Sequence, residues 1–388
     1  MTHFTGPQKN YFKFFYFIYY GFVLFSIDLI CKYISYLYLK KKSSKNILIT
    51  RLDSIGDFVL WFNFFNYIIN HYKNYNITLV CSPSIATYVK LHFGQIKIIE
   101  CSKFKFLFNI IYRYIFLFKI LRLKYDIIIN PLRSSDYFFS DVIIKNIFSN
   151  KKIAYLDNNK TNLFFNILKK SIYSDFIKLK PTSIIHEIEF NMQFTKRLLE
   201  NKKLKFDKYI MPTKNYLKYG NLDKSVIIVP GAKDNKRAIG LNKIFEFIEC
   251  KKISNYKFYI LGELKDWKIF SDFQNKIYKN FIFLFGSTTL DEYFFLIKNS
   301  KYIICNDSSA GHLGHLFKIK TFLFLGGGHF NRFFPYPKKY QDKNNLPEYY
   351  YQKLNCFNCN WLCKYDNLNL TTYPCIEKIK LKKIKIKL

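Results

Sequence analysis

Arginine is scarce in this chain of 388 residues: of 62 basic side chains only seven are Arg and 55 are Lys. A groove that reads base edges or clamps phosphates through a planar fork favours Arg. The Lys, moreover, are spread along the chain rather than gathered on one element. The formal net charge of +35 is therefore largely compositional, and a nucleic-acid partner is not expected. Acidic residues (27) and glycine (14) are also few. A GxxxxGK[ST] loop is absent, which excludes a Walker A nucleotide site. No apolar run reaches the roughly 20 residues that a spanning helix needs. Nine cysteines in so long a chain do not make a disulfide scaffold.

What is present is a large apolar and aromatic content, 49% hydrophobic with 43 Phe and 32 Tyr, enough to bury a core and to exclude wholesale disorder. The length suggests two domains. Residues 11–39 are apolar and aromatic, and Lys40, Lys41 and Lys42 follow them at once. The uninterrupted run, residues 14–27, is broken by Asp28 and Lys32, and no small-residue cleavage site follows. Two readings stay open. One is a helix lying in a membrane interface with the Lys cluster on anionic lipid; the other is a helix packed on the protein's own surface.

From residue 45 onward, short apolar runs alternate with helix-length segments. NILIT (46–50), ITLVC (77–81), IKIIE (96–100), DIIIN (126–130) and KIAYL (152–156) form one set. SVIIVP (225–230), KFYILG (257–262), FIFLFG (281–286), KYIICND (301–307) and KTFLFLG (320–326) form a second. Such runs indicate buried parallel strands in βαβ units. The chain therefore reads as α/β with two doubly wound domains, divided near the polar residues 211–224, which carry Pro212 and Gly220. The expected division is 1–44 for the N-terminal segment, 45–212 for the first domain and 213–388 for the second.

Ligands of open α/β sheets bind at the carboxyl ends of strands, so three strand-end loops carry the chemistry. In TRLDSIGDFVLWF (50–62), Asp57 stands at a helix start, either capping it or serving as a general base. In VPGAKDNKRAIGLNKI (229–244), Lys233, Lys236 and Arg237 approach a helix N-terminus, suiting the diphosphate of a nucleotide donor or forming a solvated basic loop. In ICNDSSAGHLGHLFK (304–318), Asp307 ends a strand, Ser308 and Ser309 fall at N-cap positions, and His312 follows in the first turn. Hydroxyls and open N–H groups at a helix start describe phosphate binding. His312 and His315 lack an evident third ligand, so no metal is expected there.

Taken in order, RLDSIGD, PGA with Lys236-Arg237, Gly262-Glu263, NDSSAGH, FLGGG and Pro335-Tyr336, with HEIEFN (186–191), resemble glycosyltransferase family 9, the ADP-heptose:lipopolysaccharide heptosyltransferases. The resemblance spans roughly residues 45–380 and implies the GT-B fold, two Rossmann-like domains facing a cleft, here preceded by an N-terminal apolar helix. It implies an inverting transfer of a heptose from an ADP-activated donor to a lipopolysaccharide core acceptor, with the ADP-sugar as co-substrate and no further cofactor. Asp57 would be the base, Lys236 the diphosphate lysine and Arg237 its neighbour. Asp307 would meet the donor sugar, Ser308 and Ser309 would cradle phosphate with His312 behind them, and Glu263 would meet the adenosine.

Two departures stand out: Ala238-Ile239 replaces the usual Trp-Pro, and Ser309 replaces a glycine, which would be strained if left-handed. The implied setting is cytoplasmic, peripheral to the inner membrane and working on a lipid-linked glycan. The alternatives are a transferase of the same fold with another nucleotide sugar or glycan acceptor, and a non-catalytic membrane-bound binding protein. Last, Cys356, Cys359, Cys363 and Cys375, spaced C-x2-C-x3-C-x11-C, would hold either a structural zinc or packed reduced thiols.

Overall fold

The computed structural model describes residues 18–38, 45–134, 136–156, 163–179, 186–205, 211–266, 280–365 and 370–381. The chain divides into two units, one built on Gly6–Ser183 with Ile188–Phe206 and the other on Asp207–Leu388 with Ile184–Glu187.

In the N-terminal unit six strands run parallel: β1 (Asn46–Arg51), β2 (Asn76–Cys81), β3 (Lys97–Glu100), β4 (Tyr125–Asn130), β5 (Ser149–Tyr155) and β6 (Asp175–Ile177), in the order β3-β2-β1-β4-β5-β6. Around them lie α1 (Phe25–Tyr38), α2 (Ile55–His71), α3 (Pro83–His92), α4 (Lys103–Phe108), α5 (Ile110–Leu121), α6 (Val142–Asn146), α7 (Leu163–Ile172) and α8 (Glu187–Leu198). The central strand is apolar at every step, Ile47, Leu48 and Ile49 all being fully buried. Both of its faces are covered, as a parallel sheet requires.

The C-terminal unit repeats the plan with β7 (Ser225–Val229), β8 (Lys257–Gly262), β9 (Phe281–Phe285), β10 (Tyr302–Asn306), β11 (Lys320–Phe324) and β12 (Glu348–Tyr350), and with α9 (Leu241–Lys251), α10 (Leu290–Asn299), α11 (Ser309–Leu316) and α12 (Pro374–Glu377). Its strand order, β12-β11-β10-β7-β8-β9, is that of the first sheet when each is numbered from its own first strand. Strand order therefore reverses between β1 and β4 in one unit and between β7 and β10 in the other. Such switch points open a crevice at the strand ends. All ten expected strands are present; β6 and β12 were not expected. Each of those two has three residues and lies at a sheet edge, too short to leave a periodic signal.

The N-terminal segment packs against its own unit. Leu24, Asp28 and Cys31, at helical spacing, are buried against α5 and α6. Asp28, which breaks the apolar run in the sequence, turns inward to meet Arg113 of α5. Arg113 Nε donates to Oδ1 and Nη2 to Oδ2, each at 2.7 Å, while Asn146 Nδ2 adds a third bond at 3.1 Å. Among the described residues no helix is long and apolar enough to cross a membrane. Lys40, Lys41 and Lys42 lie outside the described residues.

Candidate functional site

In the C-terminal unit the switch point brings two of the three loops together. Val229 of β7 pairs in register with Cys305 of β10, so the loops 230–240 and 307–308 leave the sheet side by side. Asn306 fastens them, its Nδ2 donating to the carbonyls of Pro230 and Gly231.

The first loop forms a short 3-10 turn, Asn235–Arg237, capped by Asp234, whose Oδ1 accepts from Lys236 N at 3.1 Å. This places Lys236 Nζ 5.9 Å from the centre of the Tyr373 ring, and Arg237 stacks on Trp361 at 3.8 Å. Burial pulls the Arg237 guanidinium below its ordinary range, and the nearby Asp307 and Asp234 oppose that shift; an Arg remains charged even so. Its Nε is buried with no hydrogen-bond partner among the described residues. Arg237, Asp307, Trp361, Ala232 and Gly326 line one crevice at the strand ends. Lys233 is exposed. Ala238 and Ile239 are buried, and Ile239 belongs to the core under α9.

In the second loop Ser308 stands at the N-cap position of α11 but makes no side-chain hydrogen bond to it, and Ser309 is the first helical residue, so one of the two serines, not both, holds the N-cap position. Ser309 is not among the residues with positive φ, so its place in the motif carries no left-handed strain. Its hydroxyl lies 3.0 Å from Tyr293 Oη. His312 is buried one turn on. Its Nδ1 lies 2.7 Å from Tyr336 Oη, and its ring is stacked on Phe334 at 4.3 Å. Burial, reinforced by His186 and His315, holds its pKa well below the usual histidine range. His312 therefore stands as a neutral imidazole and adds no charge to an anion site. His186 and Glu187 of the HEIEFN stretch join the same unit: His186 Nε2 meets the Phe333 carbonyl at 2.7 Å, and Glu187 pairs with Arg332 at 3.2 Å.

Glu263 is the acid that the resemblance sets against adenosine. It follows β8 but stands out in solvent, its carboxylate paired with Lys265 at 2.7 Å. The buried acid of this stretch is Asp266, three residues on, whose Oδ2 accepts from Glu263 N at 2.8 Å. A Cβ on Gly231 would come within 2.5 Å of that carboxylate, so glycine is what lets the loop close over it. Desolvation raises the Asp266 pKa. ELKD alone offers no sign of which acid turns inward.

Sequence reasoning also missed Trp361. The segment 356–363 lies over the glycine run after β11, where Cβ atoms on Gly326 and Gly328 would meet the Trp361 ring at 2.4 and 2.2 Å. Asn358, Asn360 and Trp361 all have left-handed φ, +67°, +51° and +61°. A bulky residue held there marks a position fixed by its surroundings. Cys356, Cys359, Cys363 and Cys375 line a single pocket beside Trp361 and Tyr373. Among the described residues no group of three or more His, Cys, Asp or Glu is arranged to hold a metal ion.

In the N-terminal unit Asp57 occupies the third position of α2. Its contacts are those of the capping alternative. Its Oδ2 accepts from Ser54 N at 3.3 Å and Ser54 Oγ at 2.6 Å, a helix cap. Its Oδ1 has no hydrogen-bond partner among the described residues and the side chain is half-buried, which leaves an oxygen able to accept a proton. Behind it, buried Arg51 donates from Nη2 to the Asp57 carbonyl at 3.0 Å and from Nη1 to the Pro131 carbonyl at 3.4 Å, tying the β1 loop to the β4 loop at this unit's switch point. Arg51 also pairs with Asp53 at 2.8 Å.

No protein-family model matches the sequence, and no curated protein matches it. Solved structures do match. A glycosyltransferase of family 9 from Veillonella parvula aligns over 76% of this chain and 86% of its own, with TM-score 0.58 and 16% identity. E. coli ADP-heptose LPS heptosyltransferase II aligns over 79% and 91%, with TM-score 0.60 and 14% identity. E. coli heptosyltransferase WaaC, solved with ADP-2-deoxy-2-fluoro heptose, aligns over 76% and 91%, with TM-score 0.59 and 12% identity. At these identities the likeness establishes the fold: the chain has the two-sheet α/β architecture of the family 9 glycosyltransferases, as the motif order implied.

Proposed function

We propose that the chain is an inverting glycosyltransferase that moves a heptose or related sugar from an ADP-activated donor to a lipopolysaccharide core acceptor. The observation that carries this reading is the C-terminal switch point, where Arg237 and Asp307 share one crevice and Ser308 starts α11. A helix N-terminus with adjacent cations suits a diphosphate, and a carboxylate beside it suits sugar hydroxyls. The fold shared with solved heptosyltransferases supports the same class.

In this reading residues 213–388 bind the donor and 45–212 the acceptor. Asp57 Oδ1 takes the proton of the acceptor hydroxyl as that oxygen attacks the anomeric carbon, and the bond to the nucleotide diphosphate breaks on the opposite face. Lys236 and Arg237 offset the charge that grows on the departing diphosphate. Ser308 and Ser309 contribute the turn against phosphate, with His312 neutral behind them. The protein works in the cytoplasm at the inner membrane.

Incubating the protein with ADP-heptose and a panel of truncated lipopolysaccharide cores, with the added mass as readout, tests the proposal. Asp57→Asn should lower kcat by about 10²–10⁴, the loss expected for a general base, and Lys236→Ala should raise the donor KM. Near-wild-type turnover by Asp57→Asn refutes the base. No product from any nucleotide sugar would leave a non-catalytic binding protein of the same fold.

A further inference from the structure

A helix on a protein surface buries one face and turns a polar one outward. Helix α1 does not. Its inner stripe packs through Asp28 and Cys31, with Leu24 just before the helix, and its outer face carries Leu29, Tyr33 and Leu37. The elements beside it behave alike: α5, on which α1 packs, and α4, which packs on α5, expose Ile111, Ile115 and Phe104. These six side chains range from 49% exposed at Leu29 to 72% at Phe104 and Ile111. Among the described residues of the C-terminal unit the large exposed apolar side chains are instead scattered singly, as at Leu217 and Leu346, which needs no explanation. A grouped apolar surface of this kind marks an interaction site.

Charge selects the partner. Lys32, Lys103, Lys105, Lys119 and Arg122 lie on or at the ends of the same helices. Residues 18–38 and 103–122 contain one acid, Asp28, and that carboxylate is buried against Arg113. The surface thus combines apolar and aromatic side chains with cations; an acid at its edge, Asp136, is largely covered and already paired with Lys103 at 3.3 Å, which leaves Lys105, Lys119 and Arg122 exposed. An aqueous protein partner would be recognised with polar groups of both signs, whereas an anionic bilayer asks for this combination: rings and aliphatic chains at the acyl boundary, Tyr at headgroup level and Lys on the phosphates.

We propose that the outer faces of α1, α4 and α5 form one docking surface by which the N-terminal unit sits on an anionic lipid bilayer without crossing it. The inward turn of Asp28 contributes directly, since it removes from the lipid-facing side the one acid these segments contain. The inference enlarges the expected membrane contact from the N-terminal segment to α4 and α5, and it holds whichever sugar the protein transfers.

The test uses the full chain in co-sedimentation with vesicles of phosphatidylethanolamine and phosphatidylglycerol, and with phosphatidylcholine vesicles for comparison. Wild type should pellet with the anionic vesicles and more weakly with the neutral ones, and added salt should weaken the former. Ile111→Glu with Ile115→Glu changes two exposed positions and should leave the circular dichroism and Tm intact, while lowering partition about tenfold or more. Lys105→Ala with Lys119→Ala, two exposed cations, should reduce binding to anionic vesicles and spare the neutral ones. The proposal is overturned if wild type stays in the supernatant or if the Ile111/Ile115 variant pellets like wild type. It is equally overturned if light scattering shows a wild-type dimer that this variant breaks while vesicle binding is unchanged, which would make the face a contact between copies.

Discussion

Replacing Asp28 by Asn should weaken the N-terminal unit more than any other single polar change on its surface helices. Arg113 is fully buried and the Asp28 side chain is 3% exposed, so the ion pair is held without water and each charge depends on the other. The guanidinium also meets the Phe106 carbonyl at 3.2 Å and the Phe106 ring at 4.1 Å, neutral groups that do not replace the carboxylate. Stranding a buried charge in this way costs about 3–5 kcal/mol, against a total stability of about 5–15 kcal/mol for a typical domain. With a urea m-value near the upper end of about 1–3 kcal/mol/M, the midpoint for this unit should fall by about 1–2 M. Circular dichroism, with limited proteolysis to identify the unit that opens, reads the change. Asp28→Leu combined with Arg113→Met should restore most of the loss, because a buried pair replaced by apolar groups of similar volume is often neutral. A single variant that shifts the midpoint by less than about 0.3 M, or a double variant as weak as the single, would refute the reasoning.

Two further outcomes follow from the C-terminal unit. Trp361→Ala removes the ring on which Arg237 stacks at 3.8 Å, and a partly desolvated cation–π contact is worth up to about 2 kcal/mol. ADP affinity, measured by calorimetry, should fall about tenfold with the fold intact; unchanged affinity would remove Trp361 from the donor site. Glu348 on the edge strand β12 is pulled down to about 2 by hydrogen bonds from Lys251 and Tyr350 and by Lys320, against the desolvation that opposes them. A carboxylate with a depressed folded-state pKa stabilises above its unfolded value, roughly 4.3, and that stabilisation is lost as pH falls toward 2. Acid unfolding curves of wild type and Glu348→Gln should therefore differ above pH 4 and converge below it; parallel curves throughout would contradict the assignment.

How much of this was legible in the chain depends on the range of the interactions concerned. Most of the ten expected strands were, because a parallel strand buried on both faces is a continuous apolar run of its own; β3 and β9, at the other two sheet edges, still carry the runs IKIIE and FIFLFG. The edge strands β6 and β12 were not, since three residues paired on one side need no such run. Among candidate site residues, Lys236, Arg237, Asp307, Ser308 and Ser309 could be named from the sequence because they follow strand ends directly, and the structure keeps their two loops side by side. Glu263 was named by the resemblance alone; it faces solvent beside Lys265, while Asp266 turns inward beneath Gly231. Trp361, 124 positions beyond Arg237 in the chain, reaches it by packing on the glycine run 326–328, and no local pattern announces that contact.

Patterning over a few residues thus determined two α/β halves, their strand-end loops and an apolar N-terminal helix, because burial and turn chemistry act between near neighbours. Only the tertiary structure decided the rest. It set Arg237 against Trp361, gave His312 a buried and neutral place beside Tyr336, and turned Asp28 toward an arginine 85 residues away. The physical reason is the same in each case: a desolvated charge or ring is placed by whichever partner the crossovers bring near it, and those partners are set by strand order rather than by sequence distance.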